Sequence, residues 1–239
     1  MAEGRLFAIG DIHGCLDELV RLLDAIPATA ADTIAFVGDY IDRGTDSRGV
    51  VEHLLAWRER TPATAVFLKG NHEDMALAYM GFPGHWGEAW LRNGGVAALR
   101  SYDLDPHGSR RDIAAGFPAD HLAFFSSLQM MLHWGDFLLV HAGIRPGVAL
   151  AAQHSEDLLW IREEFLEHPH DLGQTVVFGH TPHRRVVVGL PYRIGIDTGC
   201  VYGGALSCVV LPEGHVYQVR LGDTVVRESP LNTTHGLRP

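Results

Sequence analysis

TIAFVGDYIDRG, residues 33–44, joins an apolar run to a loop in which two aspartates and an arginine stand between glycines. The apolar run predicts a buried strand over 33–37. The same arrangement occurs before and after it. Residues 5–9 predict a strand that leads into GDIHG at 10–14, and residues 64–68 predict one that leads into GNHE at 70–73. Polar motifs therefore follow three apolar strands in succession.

Two helices connect these predicted strands. Residues 15–26 and residues 47–60 each carry apolar side chains at helical spacing along one face. The order strand, helix, strand, helix, strand predicts a parallel sheet, and ligands of such sheets bind beyond the carboxyl ends of the strands. We expect Asp11, Asp39 and Asn71 to lie at this edge.

The remainder of the chain predicts an inserted helical region and a second sheet. Residues 76–127 interrupt short helical stretches with glycine and proline, which indicates a cap-like insertion that either packs on the domain or contacts substrate. Strands over 137–140 and 176–178 lead to two histidines, and a helix over 155–166 carries Arg162. Hairpin-like spacing over 186–221 predicts a mostly antiparallel second sheet.

These elements predict an α/β fold, a two-sheet α/β sandwich with flanking helices and the cap-like insertion. We expect a single domain over residues 1–239, with a frayed end from about residue 228.

Composition excludes several functional classes. The chain has 19 Lys and Arg against 29 Asp and Glu, a net charge of −10, which argues against a nucleic-acid or anionic-membrane partner. An apolar signal-peptide core and a membrane-spanning run are both missing, so we expect a cytoplasmic protein. Cys15, Cys200 and Cys208 have no Cys-x-x-Cys spacing, and we interpret them as buried thiols rather than disulfides or zinc ligands.

Histidine, aspartate and asparagine at the strand ends suit a pair of divalent cations. Asp11 and His13 are two apart in an extended stretch, so both can bind one cation. The carboxylate of Asp39 suits a bridge between two cations. Such ligands fit hard or borderline metals, and we expect manganese, with iron or zinc as alternatives. The residues that complete the second site with Asp39 are Asn71, His141 and His180.

The motifs GDIHG, GDYIDRG and GNHE, followed by HAG at 141–143 and GH at 179–180, resemble the phosphoprotein phosphatase branch of the calcineurin-like metallophosphoesterases. The resemblance is strongest to compact bacterial and phage serine/threonine protein phosphatases, and it runs from Gly10 to about Gly204. It implies that the first metal is bound by Asp11, His13 and Asp39, and the second by Asp39, Asn71, His141 and His180.

The resemblance also assigns the remaining roles. His72 would be the general acid, oriented by Asp42. The phosphate oxygens would be held by Arg43, Arg162 and Asn71. It implies a phosphorylated protein or peptide as substrate. It indicates no regulatory subunit, because the long segments that serve this purpose in eukaryotic relatives have no counterpart here.

The expected activity is hydrolysis of phosphoserine and phosphothreonine in proteins, and by extension phosphotyrosine, through in-line attack of a metal-bridging hydroxide. The alternative is a nucleotide hydrolase like the symmetrical diadenosine tetraphosphatases, because the segment from Asp197 to Gly204 also resembles theirs. Asp42 favours the phosphatase, since the corresponding loop of the nucleotide-cleaving relatives typically reads Val-Ala-Arg-Gly. A phosphodiesterase would need a basic groove, and an inactive phosphate-binding module would have lost ligands or the acid.

Overall fold

The computed structural model describes residues 4–232, which form two β-sheets and eight α-helices. The strands are β1 (Leu6–Ile9), β2 (Thr33–Phe36), β3 (Thr64–Phe67), β4 (Met131–Trp134), β5 (Phe137–Val140), β6 (Thr175–Phe178), β7 (Val187–Gly189), β8 (Arg193–Gly195), β9 (Ala205–Leu211), β10 (His215–Arg220) and β11 (Arg227–Pro230). The helices are α1 (Leu16–Ala25), α2 (Ser47–Arg58), α3 (Asn71–Tyr79), α4 (Gly95–Ser101), α5 (Arg110–Gly116), α6 (Ala119–Ser127), α7 (Ser155–Trp160) and α8 (Glu163–Leu166).

The first sheet has the strand order β11-β10-β9-β1-β2-β3. Strands β1, β2 and β3 are parallel, with Leu6 opposite Thr33 and Thr33 opposite Thr64. The predicted alternation of strands and helices is therefore confirmed. Since the three strands run in the same direction, the loops after them gather at one edge of the sheet, which brings the GDIHG, GDYIDRG and GNHE motifs together.

The second sheet has the order β4-β5-β6-β8-β7, with β5, β6 and β8 parallel and an antiparallel strand at each edge. The prediction that residues 186–221 form one antiparallel sheet is wrong. Strands β7 and β8 join the second sheet, whereas β9 and β10 extend the first. Alternating apolar residues identify a strand but not its partner, because pairing depends on residues far away in sequence.

The layers follow from the alternation of side chains along each strand. From β1, Leu6 and Ala8 pack in the core between the two sheets, together with Leu139 and Val177 of the second sheet. Phe7 and Ile9 point the other way, into the core formed with the helices of the first sheet. The second sheet has its own outer core, which includes α7 and α8. The expected α/β sandwich is confirmed.

The region between β3 and β4 is helical, as expected, although its first helix begins at Asn71, five residues before the predicted boundary. Helices α3, α4, α5 and α6 pack into the same core as α1 and α2. Short 3-10 turns at Gly87–Ala89 and Leu91–Asn93 connect α3 to α4. Within residues 4–232, no helix is both long and apolar enough to cross a bilayer.

The helix predicted over 155–166 is interrupted. Helix α7 ends at Trp160, and Arg162 precedes α8 with φ −133° and ψ −96°. In a continuous helix the carbonyl of Leu158 would accept from the N–H of Arg162, but here it accepts from the N–H of Ala142 at 2.9 Å. The backbone that follows β5, next to His141, thus makes the hydrogen bond that the next turn of the helix would need.

The expected fraying from about residue 228 is wrong for the first part of that segment. Strand β11 pairs with β10 over four residues, with Arg227 opposite Gln218. Residues 233–239 lie outside the described part of the chain.

Candidate active site

Six side chains with metal-ligand chemistry meet at the carboxyl edges of the two sheets. Asp11 and His13 lie in the loop after β1, Asp39 lies in the loop after β2, and Asn71 is the first residue of α3. His141 and His180 follow β5 and β6 of the other sheet. All six are at most 5% exposed. The structure therefore brings together every residue that the sequence predicts as a metal ligand.

The carboxylate of Asp39 lies between two groups of imidazoles. Its Oδ2 is 3.4 Å from Nε2 of His13, and its Oδ1 is 3.5 Å from Nε2 of His141. The first group contains Asp39, His13 and His72, and the second contains Asp39, His141 and His180. In each group the donor atoms lie within 4.8 Å of one another. Asp39 thus directs one carboxylate oxygen toward each group, as a carboxylate that bridges two cations does.

The histidine tautomers place Nε2 lone pairs where a cation could bind them. Nδ1–H of His141 donates to the carbonyl of Val37 at 2.8 Å, which leaves an Nε2 lone pair 2.9 Å from Oδ1 of Asn71. Nδ1–H of His13 likewise donates to the carbonyl of Ile41 at 2.8 Å, and its Nε2 faces Asp39. A cation coordinated by both the lone pair and the oxygen would satisfy each of these contacts. A backbone carbonyl on the other ring nitrogen is a common support of metal-bound histidine.

Burial keeps these imidazoles neutral, as metal ligation requires. Burial lowers the pKa of His13 to about 3, and it lowers the pKa of His141 and of His180 as well. Nε2 of His180 has no hydrogen-bond partner among residues 4–232, although it is buried. A buried, unpaired nitrogen on a neutral ring is a ligand ready for a metal.

The two acids of the site differ in their electrostatic surroundings. Burial raises the pKa of Asp11 well above its usual range, and the nearby carboxylates of Asp197 and Asp39 raise it further. Burial would also raise the pKa of Asp39, but the neighbouring histidines outweigh it and lower that pKa below its usual range. A pair of divalent cations would compensate these carboxylates, so the donor set fits the metals that the sequence predicts.

Several site residues have left-handed backbone conformations that only glycine adopts easily. The φ angles are 45° at His13, 55° at Asp39, 74° at Asp42, 66° at Arg43 and 63° at His180. Such conformations cost about 1–3 kcal/mol each and occur where the surrounding structure enforces them.

Glu73 enforces the conformation of the GDYIDRG loop. Its carboxylate accepts from the backbone N–H groups of Asp39 at 3.1 Å, Tyr40 at 2.8 Å, Ile41 at 3.2 Å and Gly70 at 3.0 Å. Glu73 stands within the GNHE motif, but no function was predicted for it. A fully buried glutamate needs several donors, and three of the four lie 32 to 34 residues earlier in the chain, so no local pattern indicated them.

His72 lies at the end of a buried chain of hydrogen bonds. Its Nδ1 is 2.6 Å from Oδ2 of Asp42, and the indole N–H of Trp90 donates to both oxygens of Asp42 at 3.1 and 2.9 Å. Burial alone would lower the pKa of His72, but Asp39 and Asp42 outweigh it and raise that pKa above its usual value. In the part of the chain that is described, Nε2 of His72 has no hydrogen-bond partner. His72 can therefore hold a proton on a ring nitrogen that is free to donate it.

No role was predicted for Trp90, which lies in the insertion that the sequence predicts either to pack on the domain or to contact substrate. It is fully buried, although its indole nitrogen needs an acceptor. The acceptor, Asp42, lies 48 residues earlier in the chain, so no local pattern could have linked the two.

Both predicted phosphate-binding arginines reach the cluster. The guanidinium of Arg43 donates to Nε2 of His13. Arg162 donates to the carbonyl of His180 at 3.4 Å, and the break between α7 and α8 positions it there. The ring of Tyr202 lies 5.6 Å from the Arg43 guanidinium and is 62% exposed. Tyr202, for which no role was predicted, therefore borders the site on its solvent side.

The sequence profile of the calcineurin-like phosphoesterases matches residues 4–205, most of the chain. The chain belongs to this family. The match includes all of the predicted metal ligands, so this calcineurin-like phosphoesterase is a metallophosphoesterase with His and Asp groups able to bind metal.

Named relatives of this phosphoesterase have different substrates. Serine/threonine-protein phosphatase 1 of Salmonella typhimurium is 32% identical, over 84% of this chain and 89% of its own. An asymmetrical bis(5'-nucleosyl)-tetraphosphatase of Halalkalibacterium halodurans is 27% identical, over 86% of this chain and 89% of its own. A crystal structure described provisionally as a diadenosine tetraphosphatase superposes with a TM-score of 0.68 at 27% identity, covering 93% of this chain and 96% of that one.

Proposed function

We propose that this chain is a metal-dependent phosphomonoesterase that removes phosphate from phosphoserine and phosphothreonine, and by extension phosphotyrosine, in proteins. The observation that carries the proposal is the buried chain of hydrogen bonds from Trp90 through Asp42 to His72. Serine and threonine leave as strongly basic alkoxides, which need a proton from the enzyme. A nucleotide phosphate is a weaker base and needs less help.

The proposed metal ligands are the six buried residues at the sheet edges. Two divalent cations, manganese in our proposal, would activate water and neutralise the phosphoryl group. Asp39 would contribute to both sites, because its two oxygens face different histidines. The other ligands would be Asp11, His13, Asn71, His141 and His180.

Arg43 and Arg162 would hold the equatorial phosphate oxygens, together with the amide of Asn71. Guanidinium groups bind such oxygens through paired, charge-assisted hydrogen bonds. Arg43 has to exchange its present contact with His13 for the phosphate, because metal binding would occupy that imidazole. Arg162 keeps its contact with the carbonyl of His180 as an anchor.

His72 would protonate the leaving oxygen through Nε2. Asp42 accepts from Nδ1–H, which fixes the orientation of the ring and favours its protonated form. Trp90 in turn fixes both oxygens of Asp42. General acid catalysis of this kind contributes about 10²–10⁴-fold to rate.

A second candidate function is hydrolysis of dinucleoside tetraphosphates. The bis(5'-nucleosyl)-tetraphosphatase relative and the structure with a TM-score of 0.68 favour it. The same metals and arginines could hold a polyphosphate. The exposed ring of Tyr202 beside Arg43 could stack on a nucleobase.

A comparison of two substrates separates the two candidate functions. We would measure kcat/KM with manganese for a phosphothreonyl peptide and for diadenosine tetraphosphate, with Asp39→Asn as the inactive control. The proposal predicts that the peptide is the better substrate. A preference for the dinucleotide of about a hundredfold, equivalent to about 2.7 kcal/mol, would replace it with the second candidate.

A further inference from the structure

A second group of metal-type donors lies outside the site described above. Cys15 and Glu18 belong to the start of α1, and Cys200 begins a 3-10 turn after β8. Their exposed fractions are 6%, 4% and 2%. The two sulfurs and a carboxylate oxygen lie within 4.8 Å of one another. Residues 185 positions apart in the chain thus converge on one buried point.

These separations suit a thiolate metal site. A tetrahedral zinc ion with Zn–S bonds of about 2.3 Å places its sulfur ligands about 3.8 Å apart, which the cluster can satisfy with small movements of side chains. The thiol of Cys15 donates to the carbonyl of His13 at 3.8 Å, and that oxygen is a candidate fourth ligand once the thiol has lost its proton. Two sulfurs and one carboxylate are a borderline-soft set, unlike the nitrogen and oxygen donors around Asp39.

The carboxylate of Glu18 points to a missing positive charge. Its Oε1 accepts from the N–H of Gly222 at 2.8 Å, which fixes its orientation. Among the ion pairs of residues 4–232, none involves Glu18. Buried carboxylates are normally paired with a cation or bound to a metal. A cation between Glu18 and the two sulfurs would meet that requirement.

We propose that Cys15, Glu18 and Cys200 bind a third divalent cation of thiophilic character, such as zinc, in a structural site separate from the catalytic pair. The three cysteines are free and buried, as the sequence predicts, and the proposal adds a ligand role for two of them. A cation bound there would connect the loop that carries Asp11 and His13 to the turn after Asp197. Its side-chain ligands are distinct from the six side chains at the sheet edges, so it does not depend on the proposed function.

Cobalt gives the proposal a direct spectroscopic test. We would produce the full chain in medium supplemented with Co²⁺ and record the near-ultraviolet charge-transfer absorption of thiolate bound to cobalt. Elemental analysis would give the metal content per chain. We expect the absorption in the wild-type protein and in Asp39→Asn, since the latter alters only the catalytic ligands. Cys200→Ser should lose the absorption and one metal equivalent.

Cys208 provides a matched control. It is fully buried in β9, outside the cluster, so Cys208→Ser should keep both the absorption and the metal content. Cys15→Ser, measured in the same way, replaces Cys200→Ser if the latter does not fold. Wild-type protein without the charge-transfer band would overturn the proposal. A disulfide between Cys15 and Cys200 in the purified protein, seen by mass spectrometry, would also overturn it.

Discussion

Asp39 presents one carboxylate oxygen to each group of imidazoles, so a single substitution should disturb both metals. We predict that Asp39→Asn reduces phosphatase activity to background and lowers the bound manganese. An amide offers only one oxygen ligand and no charge to screen two cations. Activity assays with elemental analysis would check this. Full turnover by wild-type enzyme shown to be free of metal would contradict it.

His72 is the residue for which leaving-group chemistry gives the sharpest expectation. His72→Asn should lower kcat on an alkyl phosphate by about 10²–10⁴-fold, the usual contribution of general acid catalysis. The loss on p-nitrophenyl phosphate should be much smaller, because nitrophenolate leaves without protonation. The variant should retain manganese by elemental analysis. Equal losses of kcat on both substrates would show that His72 is not the general acid.

Trp90 should act on the same step through Asp42. Trp90→Phe keeps an aromatic ring beside Tyr79, whose centroid is 5.1 Å away, but removes the N–H that binds Asp42. A lost hydrogen bond to a charged group corresponds to about 1.5 kcal/mol, or about tenfold in rate. We predict this loss in kcat on alkyl phosphates, with little change on p-nitrophenyl phosphate. A loss of thermal stability with unchanged kcat would show that Trp90 only packs.

The starts of strands β1 and β2 are joined by a single carboxylate. Asp32 accepts from the backbone N–H and Nη2 of Arg5 at 2.7 and 2.9 Å, and from the backbone N–H of Thr29 at 2.7 Å. Burial alone would raise the pKa of Asp32, but these hydrogen bonds hold it well below its usual range. The folded state therefore binds the ionised carboxylate more favourably than the unfolded state does.

We predict that Asp32→Asn lowers the free energy of unfolding by about 2 kcal/mol at pH 7, from its weakened hydrogen bonds. Because the folded pKa is depressed, the difference from wild type should stay constant down to about pH 5. It should shrink as the pH falls below about 3.9, the unfolded value. Urea unfolding at several pH values would measure it. Asp17→Asn removes an exposed acid and should change stability by less than about 0.5 kcal/mol.

The elements show what a sequence can predict. Strands β1, β2 and β3 and the ligands after them were predicted because each strand and its motif are local in sequence. The sequence did not predict that β7 and β9 belong to different sheets, because strand pairing is decided by residues distant in sequence. The break before Arg162 has the same cause, because Ala142 supplies the competing hydrogen bond. Glu73 and Trp90 were missed because their partners are also distant in sequence.

At the scale of the whole molecule, the proposed cations would connect the two sheets. Asp11, Asp39 and Asn71 follow strands of the first sheet, and His141 and His180 follow strands of the second. Metal at a hundred times its dissociation constant stabilises the folded state by about 2.7 kcal/mol. We predict that chelation lowers the Tm by about 5–10 °C. Calorimetry with and without EDTA would measure the shift, and Asp39→Asn should show a smaller one.

The N–H of His180 donates to the carboxylate of Asp11 at 3.0 Å, a contact that spans 169 residues of sequence. During synthesis, the ribosome releases Asp11, Asp39 and Asn71 long before His180. Contacts of such separation form late in folding, because the chain between them must first be ordered. A nascent chain therefore has only part of the ligand set until translation is well past β6. Loading of the catalytic pair must follow translation of that strand, whatever the metal supply of the cell.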